Sequence, residues 1–174
     1  MDLFAATAAL FRAVAVLQSD VDVDVDLTGA LGGGAVGTFV GTVVVGAILV
    51  ALAPDYTKAR MAEVVEEPVG NFVYGVVVLV FLILAVIVLV FTIVGIIVAI
   101  PLGFVVYLAW VFGSTIAFLA VADRLLDRGD DEWLVVLLVA AGINGGLVLS
   151  GIGALVAFCV GAAGFGTVVR PYFD

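Results

Sequence analysis

Residues 69–122 read VGNFVYGVVVLVFLILAVIVLVFTIVGIIVAIPLGFVVYLAWVFGSTIAFLAVA, without a single Asp, Glu, Lys or Arg. At 1.5 Å rise per residue this stretch makes roughly 80 Å of helix, more than twice the hydrocarbon thickness of a bilayer. A soluble domain of this size has no interior that could hide it, so the segment must cross a membrane twice. Gly and Pro gather near its middle, at TIVG (92–95) and IPLG (100–103), where a helical hairpin can turn. The reading is therefore one span over 70–92 and another over 97–122, with Gly95, Pro101 and Gly103 as the break. Residues 76–90, almost pure Val, Leu, Ile and Phe, suit a helix face turned to lipid. Tyr107 and Trp110 fall inside the second span rather than at its end and do not mark an interfacial belt.

A second charge-free run covers 133–169. It is too long for one span and slightly short for two with a generous loop. Gly145 and Gly146, next to Gly142 and Asn144, offer its turn, giving two short helices or a half-helix plus a span. At an offset of 50, Ile93, Gly95, Val98, Gly103 and Val106 match Ile143, Gly145, Val148, Gly153 and Val156, a faint internal repeat. Arg170, Pro171, Tyr172 and Phe173 then read as an interfacial anchor.

Upstream, residues 30–53 provide about 36 Å of apolar helix, enough for one span. Gly29, Gly33, Gly37 and Gly41 stand four apart on one face of it. Helices in lipid associate by close backbone approach over small residues, so this ladder is a packing face, for a neighbouring helix of the same chain or for a second copy. Pro54 and Pro68 bracket a polar stretch in which Met61, Val64 and Val65 recur at helical spacing, a short amphipathic helix for the membrane surface. Residues 1–18 are apolar but carry Arg12, as an interfacial helix would. Asp20, Asp22, Asp24 and Asp26 alternate with Val. Counted from Asp22, an EF-hand loop would need Gly where Leu27 stands and Glu where Gly33 stands, so the segment reads as a solvated acidic linker. The expectation is an all-α polytopic membrane bundle of about five transmembrane segments, one span plus two Gly/Pro-broken hairpins. Residues 1–29 form its N-terminal segment and 30–174 its membrane domain.

The composition agrees: 66% of the 174 residues are hydrophobic and only 12% charged, about half the charge fraction of soluble domains. Fifteen acidic residues face six basic ones, and Lys58 is the sole lysine. An acid-rich, lysine-poor surface fits a very salty cytoplasm, where screening suppresses self-repulsion, and it repels nucleic acid. Cys159 has no second cysteine to pair with, and histidine is absent, which removes the commonest metal ligand and general base. No ionisable side chain lies within the spans, which argues against ion- and proton-coupled transport. Ser150 sits in VLSGIG, which is no nucleophile elbow. No catalytic, cofactor or metal site is expected. Thr92, Ser114, Thr115, Asn144 and Ser150 are too few and scattered for a polar pore, so a passive channel or small-solute carrier is the alternative function.

From Pro54 the chain gives PDYTKARMAEVVEEPVGNFVYG, then TIVGIIVAIPLG, then a second Gly-rich hairpin. With Pro54, Pro68, Gly75, Gly95, Pro101 and Gly103 in order, residues 45–169 resemble the polytopic membrane module found with bactofilin-like polymer-forming cytoskeletal proteins, in a haloarchaeal-type version lacking the β-helical domain. The resemblance implies a membrane anchor or scaffold for an envelope or cytoskeletal assembly, with the bilayer and a protein partner, or a second copy, as its contacts. Lys58, Arg60, Arg124 and Arg128 lie in the two polar loops. The positive-inside rule makes these loops and the C-terminus cytoplasmic and the N-terminus external.

Overall fold

The computed structural model describes residues 27–126, 133–150 and 152–172, with side-chain surroundings for all of these but 27–32 and 93–94. The helix expected over 1–18, the acidic repeat at 20–26 and Arg128 lie outside the described residues. The chain divides into two compact units, Met1–Ala30 and Leu31–Asp174. The described part of the first, residues 27–30, is helical. The elements are α1 (Leu27–Leu52), α2 (Pro54–Glu66), α3 (Pro68–Val90), α4 (Ile93–Leu126), α5 (Trp133–Leu149) and α6 (Gly153–Val169), followed by a 3₁₀ turn at Arg170–Tyr172. Among the described residues, four stretches are long and apolar enough to cross a bilayer: Gly33–Leu52, Pro68–Val90, Gly95–Leu126 and Gly153–Tyr172. At 17 residues, α5 is about 26 Å long and just short of a full span. The protein is a multi-pass membrane helical bundle. Its lipid face is clearest on α3, where Val77, Phe81, Leu84 and Val88, spaced four, three and four apart, are all more than half exposed.

The first hairpin turns at the leading edge of the TIVG cluster, whereas the second turns away from Gly145 and Gly146. The first turn is Phe91–Thr92, so Gly95 stands at it while Pro101 and Gly103 lie inside α4. The second falls after Leu149, and Gly145 and Gly146 are both inside α5. A hydroxyl explains the choice. Thr92 Oγ1 donates to the Leu89 carbonyl at 2.9 Å and accepts from the Gly95 N–H at 3.0 Å. Ser150 Oγ does the same between Leu147, at 3.0 Å, and Gly153, at 3.0 Å. Each hydroxyl thus supplies a side-chain cap to the N–H groups of a helix start, which have no intrahelical partner. Proline removes only one backbone donor, which a membrane helix tolerates.

Both turns share the pattern Leu-x-x-Thr/Ser-x-x-Gly, and both glycines are obligatory. A Cβ on Gly95 would overlap the Leu89 carbonyl oxygen, and one on Gly153 that of Leu147. Superposing the turns gives an offset of 58, at which Val77, Val78, Leu79, Leu89, Val90, Gly95, Val98, Ala99 and Gly103 recur identically. The offset of 50 instead pairs Gly95, in the first turn of α4, with Gly145, in the interior of α5. It is not the structural repeat.

α6 is the axis of the bundle, and α3 and α4 both close on it through glycine. A Cβ on Gly164 would overlap the Gly113 carbonyl of α4, one on Gly166 the Asn71 carbonyl of α3, and one on Gly75 the Ala162 carbonyl of α6. Backbones this close exchange dispersion and Cα–H···O contacts that any side chain would prevent. The start of α3 thereby lies beside the end of α6. This end, the base, also holds α2, the end of α4 and the start of α5; the two hairpin turns form the opposite tip. The base half is the core: Ile116, Ala117, Leu119 and Phe165 are at 0% exposure, with Leu49, Phe118, Val136 and Leu137 around them. α2 closes it from below with buried Met61 and Val64 while Val65 is exposed, so its apolar face packs on helices of its own chain.

The Gly29 ladder behaves differently. Gly33, Gly37 and Gly41 are exposed, with nothing within 4 Å of an added Cβ; the surroundings of Gly29 lie outside those described. α1 meets its neighbours along another line, with Gly46 against Leu137 and Thr115, and the Ala35 carbonyl 3.0 Å from a Cβ on Gly145. Two contrasting substitutions test this packing. Gly164→Leu is expected to cost about 1–3 kcal/mol or more by overpacking and to lower the unfolding temperature in detergent by several degrees. Gly103→Leu, with nothing within 4 Å, is expected to leave that temperature unchanged; equal values for the two variants would refute the contact.

Candidate functional site

Polar side chains gather in two places. At the base, α2 lies across the ends of the other helices and is fastened at several points. Thr57 Oγ1, fully buried, shares its one hydrogen between the carbonyls of Ala53 at 2.8 Å and Leu49 at 3.2 Å, where α1 ends. Asn71, also fully buried, donates from Nδ2 to the Glu63 carbonyl at 2.9 Å, near the end of α2. Arg60 pairs with Glu63 and donates to the Thr167 carbonyl of α6 at 3.2 Å, its Nε buried without a partner. Arg170 pairs with Glu67 at 3.0 Å and reaches Asn71 Oδ1 at 3.4 Å. Lys58 stands 5.7 Å from the Trp133 ring of α5, and Arg60 5.4 Å from that of Tyr56. Burial holds the Tyr56 phenol above its ordinary pKa range against the opposing pull of Arg60. The outer edge of α2, with Asp55, Ala59, Ala62 and Glu66, is left exposed.

Toward the tip, a cavity of about 650 Å³ lies between α1, α4, α5 and α6. Thr38, Thr42, Ser114, Thr115 and Asn144 line it, with Tyr107 and Trp110. Three of the five hydroxyl and amide residues that look scattered in the sequence, Ser114, Thr115 and Asn144, thus converge; Thr92 and Ser150 are the turn caps. Asn144 Nδ2 donates to Thr42 Oγ1 at 2.9 Å, and Thr42 donates on to the Thr38 carbonyl at 2.8 Å. Ser114 and Thr115 both donate to the Val111 carbonyl, at 3.1 and 2.8 Å. Trp110 stacks obliquely on Phe158 at 5.5 Å and Phe165 at 6.0 Å, over Gly161. The cavity is blind toward the base, where Thr115 and Phe118 border the packed Leu119 and Leu137.

Of the residues singled out in the sequence, Gly37 and Gly41 line this cavity while Gly145 seats α5 on α1. Gly95 serves the first turn, and Gly103 and Gly146 make no contact that a Cβ would disturb. Sequence reading passed over Thr38 and Thr42, gave Trp110 no role in a site, and missed the junction of Thr57, Asn71 and Thr167. An amide in the first turn of an apolar helix, as Asn71 is, was the signal for that junction. Among the described residues no three His, Cys, Asp or Glu side chains gather to hold a metal ion.

The chain belongs to the DUF8173 family, a domain of unknown function whose family model matches residues 1–174. Neither a curated protein nor a solved structure matches it.

Replacing Asn71 tests how firmly α2 is held. Asn71→Leu keeps the branched shape but removes the amide that donates to the Glu63 carbonyl, which keeps only the Glu67 N–H at 3.1 Å, a loss of about 1 kcal/mol. The expected result is a lower unfolding temperature and faster proteolysis within α2. Unchanged proteolysis would show that α2 is held by its apolar face alone.

Proposed function

We propose that this member of the DUF8173 family is a non-enzymatic membrane anchor or scaffold for an envelope or cytoskeletal assembly of the bactofilin-like kind. One observation carries the reading: α2 is clamped across the base by Thr57, Arg60 and Asn71, so its exposed edge forms a rigid polar platform. The two carboxylates of that edge, Asp55 and Glu66, can select a partner surface of opposite charge and fix its register. The bactofilin-like resemblance of residues 45–169 supplies the class of partner, a polymer-forming protein or a second copy. The closed packing of Phe118, Leu119 and Leu137 in the base half counts against an open passage. The tip-side cavity supports a second reading, a passive channel or small-solute carrier, which would require that half to open.

In this reading the base faces the cytoplasm of a cell membrane. Lys58, Arg60, Arg124 and Arg170 all belong to that end of the bundle, in keeping with the positive-inside rule. The excess of fifteen acids over six bases fits a halophilic cell. Orientation is tested in a Cys159→Ser background with Asp24→Cys, Ala62→Cys and Asp130→Cys. An impermeant thiol label applied outside is expected to reach only the first, and labelling of residue 130 would invert the topology.

Function is tested by pairing flux with co-purification. The protein reconstituted in liposomes is expected to pass ions and small solutes no faster than empty liposomes. In mild detergent it is expected to retain a polymer-forming partner, and Asp55→Ala with Glu66→Ala on the exposed edge of α2 is expected to release most of it. Flux well above the empty control would discard the scaffold in favour of the channel.

A further inference from the structure

The tip-side cavity holds hydrogen-bonding groups that the protein does not use. Asn144 spends one amide hydrogen on Thr42. Among the described residues, its carbonyl oxygen, the Trp110 Nε1–H and the Thr38 hydroxyl have no partner. At membrane depth there is little water to satisfy such groups, and leaving them bare is costly. Together they present both donors and an acceptor, and among the described residues no charged side chain lines the space. The rest of the wall is apolar or aromatic, including Phe118, Val148 and Phe158. The volume, about 650 Å³, lies within the range of small-molecule sites.

The shape of the opening narrows the ligand further. Gly37 and Gly41 form one side and are exposed, with nothing within 4 Å of an added Cβ, so the cavity communicates sideways with lipid. The floor is shut by Thr115 and Phe118. A ligand of this site enters from the bilayer, is neutral, carries groups that both donate and accept, and has an apolar remainder. Hydroxyl groups meet the polar requirement and an acyl chain meets the apolar one.

We infer that the tip-side cavity binds a neutral lipid with free hydroxyl groups on its head, of the monoacylglycerol kind, the head on Asn144 and Trp110 and the chain leaving over Gly37. This assignment is independent of the scaffold reading and of the partner at the base. A charged phospholipid head would lose its hydration here without a counter-charge, and water alone would leave the aromatic wall unserved.

The experiment uses the full chain with Trp133→Phe, which leaves Trp110 as its only tryptophan of two, in phosphatidylcholine nanodiscs. Monoacylglycerol brominated along its chain is titrated in, and Trp110 emission is followed, since bromine quenches on contact. Quenching is expected to saturate at low mole fraction and to be reversed by unbrominated monoacylglycerol. Asn144→Leu is expected to raise the half-saturation point about tenfold. Because that variant also removes a bond within the bundle, Gly37→Leu provides the second arm. It fills the opening without meeting protein and is expected to abolish saturation at an unchanged unfolding temperature. Quenching that rises linearly and equals that by brominated phosphatidylcholine would reduce the site to bulk lipid contact and overturn the proposal. Quenching of Trp110 by aqueous iodide that monoacylglycerol leaves unaltered would assign the cavity to water and overturn it too. Saturation unaffected by either variant would place the lipid elsewhere on the bundle and likewise overturn it.

Discussion

The bundle depends on backbone meeting backbone along α6. In lipid, burying apolar side chains gains little over leaving them among acyl chains, so helices that stay together do so through close packing and polar contacts. Gly164 on Gly113, Gly166 on Asn71 and Gly75 on Ala162 bring three helices to separations that exclude a Cβ. Everything else is arranged around that contact. It brings the start of α3 to the end of α6, which in turn allows Asn71 and Arg170 to meet and α2 to be fastened over both.

With the glycine contacts concentrated in the base half, the two halves of the bundle differ. The base is dense, closed by the α2 face of Met61 and Val64 and tied by Thr57, Asn71 and Arg60. Toward the tip, α1 stands away from α4 and α6, and the gap between them is the polar-lined cavity. A membrane bundle with one rigid, charged end and one open, neutral pocket can hold a soluble partner on the first and a lipid in the second without either event disturbing the glycine axis.

The two turns show how a chain with few polar groups in its spans distributes them. Thr92 and Ser150 cap a helix start at the tip, and the glycine three residues on makes room for the preceding carbonyl. Recurrence of Leu-x-x-Thr/Ser-x-x-Gly at an offset of 58, with seven further identical apolar and small positions, gives both hairpins the same corner. Proline at 101 and glycine at 103, the more conspicuous breakers on paper, are carried inside a 34-residue helix.

Membrane residence, helical class and the amphipathic α2 between its two prolines were legible from the sequence alone. They follow from the length of uncharged runs and from helical periodicity, both local properties. The first turn was legible to within a few residues at TIVG (92–95), but the second was not, because the Ser150 hydroxyl cap outcompetes Gly145 and Gly146 as the breaker. Which glycines pack was not legible either. Gly33, Gly37 and Gly41 have the more regular spacing yet stay open, while Gly75, Gly113, Gly164 and Gly166 carry the contacts. Spacing places residues on a face, but only the fold decides what stands opposite that face. For the same reason Thr38, Thr42, Trp110, Ser114 and Asn144 looked isolated: they come from three helices and share a cavity only once α1 is set against α4 and α5.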